Sequence, residues 1–169
     1  MIEAGHQMSA LERFRDAQNG SYAGFENALD ELRTGGKRGH WIWYIFPQIS
    51  GLGSSSAARE FAIEDEHEAE EYLRDPQLAS RLLAITRVVA EQLGGRGKSL
   101  HALMGSDIDA KKLVSSLTLF GQVAKTVDRR EGDETSRQIA EVADQVLAVA
   151  ELQGYPPCAY TLQRLRGAT

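Results

Sequence analysis

A single cysteine, Cys158, stands in the whole chain. An intrachain disulfide is therefore excluded, and scarcity of cysteine fits a reducing, cytoplasmic compartment. Long hydrophobic runs are missing too. No stretch approaches the ~20 apolar residues of a membrane helix, so no membrane partner is expected. The opening "MIEAGHQMSALERF" has neither a basic start nor an apolar run, and a secretory leader is not expected. Positive charge is in deficit: 19 Lys and Arg against 24 Asp and Glu leave a net charge of -5. Broad binding to nucleic acid needs many cations to displace counterions and is disfavoured, which leaves room only for a small basic patch. His6, His40, His67 and His101 are scattered and no His-Glu-x-x-His occurs. Neither a metal site nor a cofactor is expected on that basis.

Other absences narrow the chemistry. There is no Gly-x-Ser-x-Gly elbow for a serine hydrolase. "RGKS" at 96–99 lacks the leading glycine of a phosphate loop. No alternation of strands and helices supports a dinucleotide fold. The acidic run "DEHEAEEYLRD" from Asp65 reads as a solvated helix face, since such charges are rarely buried unpaired. Cys158, in "GYPPCAY" near the C-terminus, reads as a small packing residue rather than a catalytic thiol.

What is present is helical periodicity. The chain has 169 residues, suited to one domain with its own core. Phe25, Ala28, Leu29 and Leu32 recur at helical spacing and stop at Gly35-Gly36. A short helix from about Ser9 to Gln18, with Leu11 and Phe14 inward, precedes them. "SSSAAREFAI" reads as a Ser-capped helix, and Asp75-Pro76 as a helix start. Leu78, Leu82, Ile85, Val89 and Leu93 form one stripe. Leu113, Leu117, Phe120, Ala124 and Val127 form a second, and Ile139, Val142, Val146 and Val149 a third. Residues 128–134, "DRREGDE", read as an exposed charged linker between helices. "CAYTLQRLRG" reads as a final short helix. The expected fold is all-α: a single compact multihelical domain spanning residues 1–169. "WIWYIF" has strand propensity, but a lone strand would lack a partner and a helix is preferred.

The densest signal is "HWIWYIFPQISGLG" at 40–53, with Lys37 before it, Ser54 after it, and "KKLVSSLTLF" preceded by Asp109 further on. On these residues the chain resembles an uncharacterised bacterial family, domain of unknown function family 1810, from about Phe25 to Phe120 and weakly to the end. The resemblance implies a compact all-helical fold and no established activity. The chain departs from it at the C-terminus, where "LQGYPPCAYTLQRL" replaces the Phe-rich ending expected of the family.

Each candidate residue has two readings. Trp41, Trp43 and Phe46 can be core, because aromatics dominate cores, or Trp41 and Trp43 can stack a base. Lys37, His40 and Gln48 can satisfy one another or line a pocket. His40 is the residue best suited to acid–base work, since histidine titrates near neutrality. Gly51, Gly53 and Ser54–Ser56 can be a plain helix cap or an anion site at a helix start. On one helix, Asp109, Lys112 and Ser116 share a face at i, i+3 and i+7, with Ser115 and Thr118 beside them. Serine and threonine are poor mid-helix residues unless packing or binding uses them. Two functions follow: a polar-aromatic pocket for a small anionic or nucleotide-like ligand, or a non-catalytic interaction module that binds a protein or itself. Both readings depend on where segments 37–56 and 109–118 lie relative to each other.

Overall fold

The structure, a computed structural model, describes residues 10–167. His6 and the expected helix start at Ser9 lie outside the described residues. The first helix described is α1, Glu12–Gln18, with Phe14 buried. α2, Phe25–Thr34, buries the expected Phe25, Ala28, Leu29 and Leu32. α3, Ile42–Ile45, is one turn inside the aromatic stretch, and α4, Ser56–Glu60, is little longer.

The next starts follow their caps. Asp65 accepts the Glu68 N–H at 2.9 Å and opens α5, Glu66–Arg74. Asp75 accepts the Leu78 N–H at 3.0 Å, with Pro76 in the first turn, and opens α6, Pro76–Ala90. Each such cap contributes about 1 kcal/mol. α6 runs into a π turn at Glu91–Gly95. α7, Leu100–Met104, is a short helix that the periodicity did not reveal. The long α8, Asp107–Glu131, and α9, Glu134–Leu152, follow, and α10, Ala159–Arg166, closes the fold.

Packing follows the apolar stripes. α8 lies along α9, α6 packs on α9, α5 on α8 and α2 on α6. Leu113, Leu117, Phe120, Ala124 and Val127 of α8 are buried together with Leu78, Leu82, Ile85 and Val89 of α6. Among the described residues there is no sheet; a lone parallel bridge joins Ile49 to Ile63. The Ser50 N–H donates to Ile63 O and the Ile63 N–H to Gln48 O, both at 2.8 Å. That bridge fixes the bend after the aromatic stretch.

Two expectations are corrected. The charged stretch 128–134 is mostly helix: α8 continues through Glu131 and α9 begins at Glu134, so Gly132 and Asp133 alone make the turn. Gly132 has φ of +63°, a conformation glycine adopts freely, and Asp133 accepts the Ser136 N–H at 2.9 Å. Exposed charge does not require a loop; basic residues at a helix C-terminus complement its dipole. The acidic run of α5 is not solvated throughout either. Glu70 is buried and pairs with Arg130 at 3.0 Å, and Glu68 pairs with Arg13 at 3.0 Å. Helical spacing turns these two carboxylates toward cations on other elements.

Candidate functional site

The loop before the aromatic turn is organised by a residue the sequence reading passed over. Glu31, on α2, accepts the Arg38 N–H at 2.7 Å, the Gly39 N–H at 2.8 Å and the Trp41 indole N–H at 3.0 Å through one oxygen, Oε1. Burial works against its ionisation. The Gly39 and Arg38 N–H groups, the Trp41 indole and the Arg38 charge outweigh it and hold Glu31 below the ordinary glutamate value. A lowered folded pKa contributes stability that is present above the unfolded value and lost as pH falls through the folded one. Wild type is therefore expected to lose denaturant resistance as pH falls below the ordinary glutamate value, about 4.3, toward the lower folded one. Glu31→Gln should start less stable at the higher pH and show a flatter acid limb in the same urea melts.

Lys37 follows on this loop. Its side chain is only 7% exposed and its Nζ lies 2.7 Å from Asp109 Oδ2. The ammonium also donates to the Gly39 carbonyl at 2.6 Å and sits 5.1 Å over the Trp41 ring. Asp109, in the first turn of α8, lies 3.8 Å from Lys112 Nζ on its other oxygen. Lys112 in turn sits 4.8 Å over the Trp43 ring. One carboxylate thus stands between two ammonium groups, and the cluster keeps an excess of positive charge. Segments 37–43 and 109–112 are in direct contact.

A cavity of about 430 Å³ opens beside Lys112. The 48–53 bend supplies Gln48, Leu52 and Gly53. One face of α8 supplies Lys111, Lys112, Val114 and Ser115. The stretch between α9 and α10 supplies Gly154, Tyr155, Pro156 and Cys158. Among the described residues, the lining contains two lysines and no carboxylate. Gly51 holds the bend against α10: with φ of +101° it has the Tyr160 hydroxyl where a Cβ would lie, at 1.9 Å. Tyr160 Oη and Arg164 donate to Ser50 O at 3.0 and 2.6 Å. A side chain at position 51 would push α10 off the bend.

The structure divides the sequence candidates. Gln48, Gly53, Lys112 and Ser115 line the cavity. Lys37 and Asp109 brace Lys112 from behind. Trp43 is half-buried under Lys112, and its indole N–H is buried without a hydrogen-bond partner among the described residues. Trp41 is fully buried with Phe46, so its ring is core and has no free face for stacking. His40 is exposed and lines no part of the cavity. Ser54 is exposed, and the cap on α4 comes from Ser55, which accepts the Ala58 N–H at 3.1 Å. A helix of five residues carries little dipole to hold an anion.

On α8, Lys112 and Ser115 share the cavity face at i and i+3, whereas Ser116 is turned fully into the core and its hydroxyl has no partner among the described residues. Thr118 is buried; it donates to Val114 O at 2.7 Å and accepts the Cys158 N–H at 3.1 Å. Packing explains these two hydroxyls. Lys111, Leu52, Tyr155 and Cys158 were missed as lining residues. The first two adjoin the recognised motifs; the others belong to the divergent C-terminus, whose placement only the folded chain reveals.

The fold is that of a small all-α protein, with a cavity that two lysines of α8 and the stretch before α10 help to line. Residues 8–134 match the model of the family described as "Protein of unknown function (DUF1810)", and the chain belongs to that family. It is also similar to the crystal structure of a conserved hypothetical protein from Mycobacterium tuberculosis: 33% identity, a TM-score of 0.74, 92% of this chain and 96% of that one covered. Among curated proteins none matches. Tyr155 and Cys158, one wall of the cavity, lie beyond the stretch matched by the family model. No helix among the described residues is long and apolar enough to cross a membrane.

Proposed function

We propose that this protein binds a small anionic ligand, nucleotide-like compounds among them, in the cavity between the 48–53 bend, α8 and the 154–158 stretch. The observation that carries this reading is the lining: Lys111 and Lys112 on one wall, no carboxylate on any, and Leu52, Val114 and Pro156 for an apolar portion. The anionic group would sit at Lys112, held in place by Asp109 behind it. Gln48 and Ser115 would supply hydrogen bonds for orientation. A concave, largely apolar site with a few placed polar groups is the usual form of a small-molecule pocket. A cytoplasmic setting fits the single cysteine. The interaction-module reading calls for Trp41 and Trp43 in a flat, exposed patch; Trp41 is buried and Trp43 half-buried.

The test is a thermal-shift panel of nucleotides and phosphorylated or carboxylated metabolites. A ligand at a hundred times its Kd adds about 2.7 kcal/mol, which for a domain of this size raises Tm by about 5–10 °C. Lys112→Met should abolish the shift. A full panel with no stabiliser, together with no small molecule co-purifying by native mass spectrometry, would overturn the reading.

A further inference from the structure

We propose that the ligand of this cavity is a singly charged amphipathic acid, an apolar body of modest size ending in one carboxylate. The proposal rests on the preceding reading, that an anion enters the cavity, and names the class of that anion.

The charge around the cavity comes to one. Lys37 and Lys112 share Asp109, at 2.7 and 3.8 Å. Lys111 follows Asp107 at i, i+4 on α8, the spacing at which opposite charges on a helix meet. His101 stands 3.5 Å from the same Asp107 and is counted neutral. Three ammonium groups against two carboxylates leave a single positive charge, which one carboxylate balances. A phosphate monoester brings about two negative charges at neutral pH. Its oxygens are met best by the fork of an arginine, and the described lining residues include none.

The rest of the wall is apolar. Leu52 of the bend, Val114 of α8 and Pro156 before α10 face one space. A polar atom seated against them gives up water and gains no partner. Gln48 and Ser115 offer hydrogen bonds to a head group, whereas the Tyr155 hydroxyl is already donated to Asp107. The ligand's polarity is thus confined to the Lys112 end.

Volume limits the body. The cavity of about 430 Å³ would hold about fourteen water-sized groups at ~30 Å³ each. A carboxylate fills about three of these, which leaves room for about ten apolar atoms. Apolar surface continues beyond the lining. Ile108 stands one turn before Lys111 and Lys112 on the same face of α8 and is 67% exposed. Leu152, two residues before Gly154 of the lining, is 89% exposed.

The test is titration calorimetry of the full chain with hexanoate, octanoate and decanoate, below micelle-forming concentrations. Hexanol and octanol are the neutral counterparts, and octyl phosphate is the dianion. Kd of the acids is expected to fall about fourfold for each added methylene, hence more than tenfold between successive acids. The heat-capacity change of binding should be negative and grow along the series. Each alcohol should bind about tenfold or more weakly than its acid, and octyl phosphate no more tightly than octanoate. Leu52→Ala, at a half-buried position of the bend, should flatten the dependence on chain length. Lys112→Met should remove the advantage of acid over alcohol.

The two readings fail in different ways. Phosphorylated compounds that bind through Lys112 beside a flat series of acids, or octyl phosphate more than about tenfold tighter than octanoate, sink the amphipathic acid and leave the preceding reading standing. Alcohols as tight as the acids overturn both, since the cavity would then select apolar volume without charge. Silence from every anion also overturns both. The wild-type series needs no variant and decides the matter if either variant fails to fold.

Discussion

Asp109→Ala is expected to destabilise the protein by about 3 kcal/mol, the lower end of what breaking a buried pair costs. Asp109 is the counter-charge of Lys37, whose side chain is 7% exposed. The variant leaves an ammonium buried against the Trp41 ring with one good acceptor, the Gly39 carbonyl. Asp109 itself is 19% exposed, so water can enter the gap and the loss stays at the low end of the range. The measurement is a urea melt in which the midpoint falls at constant slope. Lys37→Met combined with Asp109→Ala should recover a good part of the loss, because an apolar side chain tolerates the site that an unpaired charge does not. A single-variant effect below about 0.5 kcal/mol would place the pair with ordinary surface ion pairs. The brace on Lys112 would then be no brace.

That pair shows what the sequence made legible and where it stopped. Asp109 and Lys112 could be put on one helix face by spacing, and Lys37 next to the aromatic run by adjacency. Their meeting required α8 to cross the loop after α2, which no local pattern encodes. The apolar stripes were readable because burial imposes a period on them: every member of the stripes at Phe25–Leu32, Leu78–Leu93 and Leu113–Val127 named from spacing is buried. Caps were readable for the same local reason, as at Asp65 and Asp75. The ends of charged elements were not, because Asp128, Arg129 and Arg130 serve a helix terminus as well as they serve a loop. By spacing, Ser115, Ser116 and Thr118 belong to one polar strip. They turned out to have three environments, cavity, core and an anchor for Cys158, since 100° per residue sends neighbours to different faces.

Cys158 was the least legible of all. Its place in the cavity lining depends on α10 docking against the 48–53 bend through Tyr160 and Arg164, contacts separated by more than a hundred residues of chain. Glu31 was missed for a different reason. On the α2 surface it reads as one more solvated acid, and only the return of residues 38–41 past it supplies the three N–H donors.

Trp41→Ala is expected to produce the largest effect, a loss of about 3–5 kcal/mol, as for other buried tryptophans cut back to alanine. Its ring is fully buried, 6.4 Å from the Phe46 ring, and its N–H holds Glu31. The variant removes the packing, a cation–aromatic contact with Lys37 and one of the three donors that organise the loop. Trp43→Ala should cost distinctly less: its ring is only half-buried and its N–H holds nothing. Paired denaturant melts of the two variants test the division of labour inside the aromatic stretch. Similar losses would make both rings core, and Lys112 would then rest on a merely structural platform. A large loss for Trp41 alone, with Trp43→Ala folded but weaker in anion-induced thermal shift, would identify Trp43 as the support that keeps the Lys112 ammonium aimed at the cavity. In that outcome one six-residue run does two physically separate jobs, since a single turn of helix directs alternate aromatics inward to the core and outward beneath the cation.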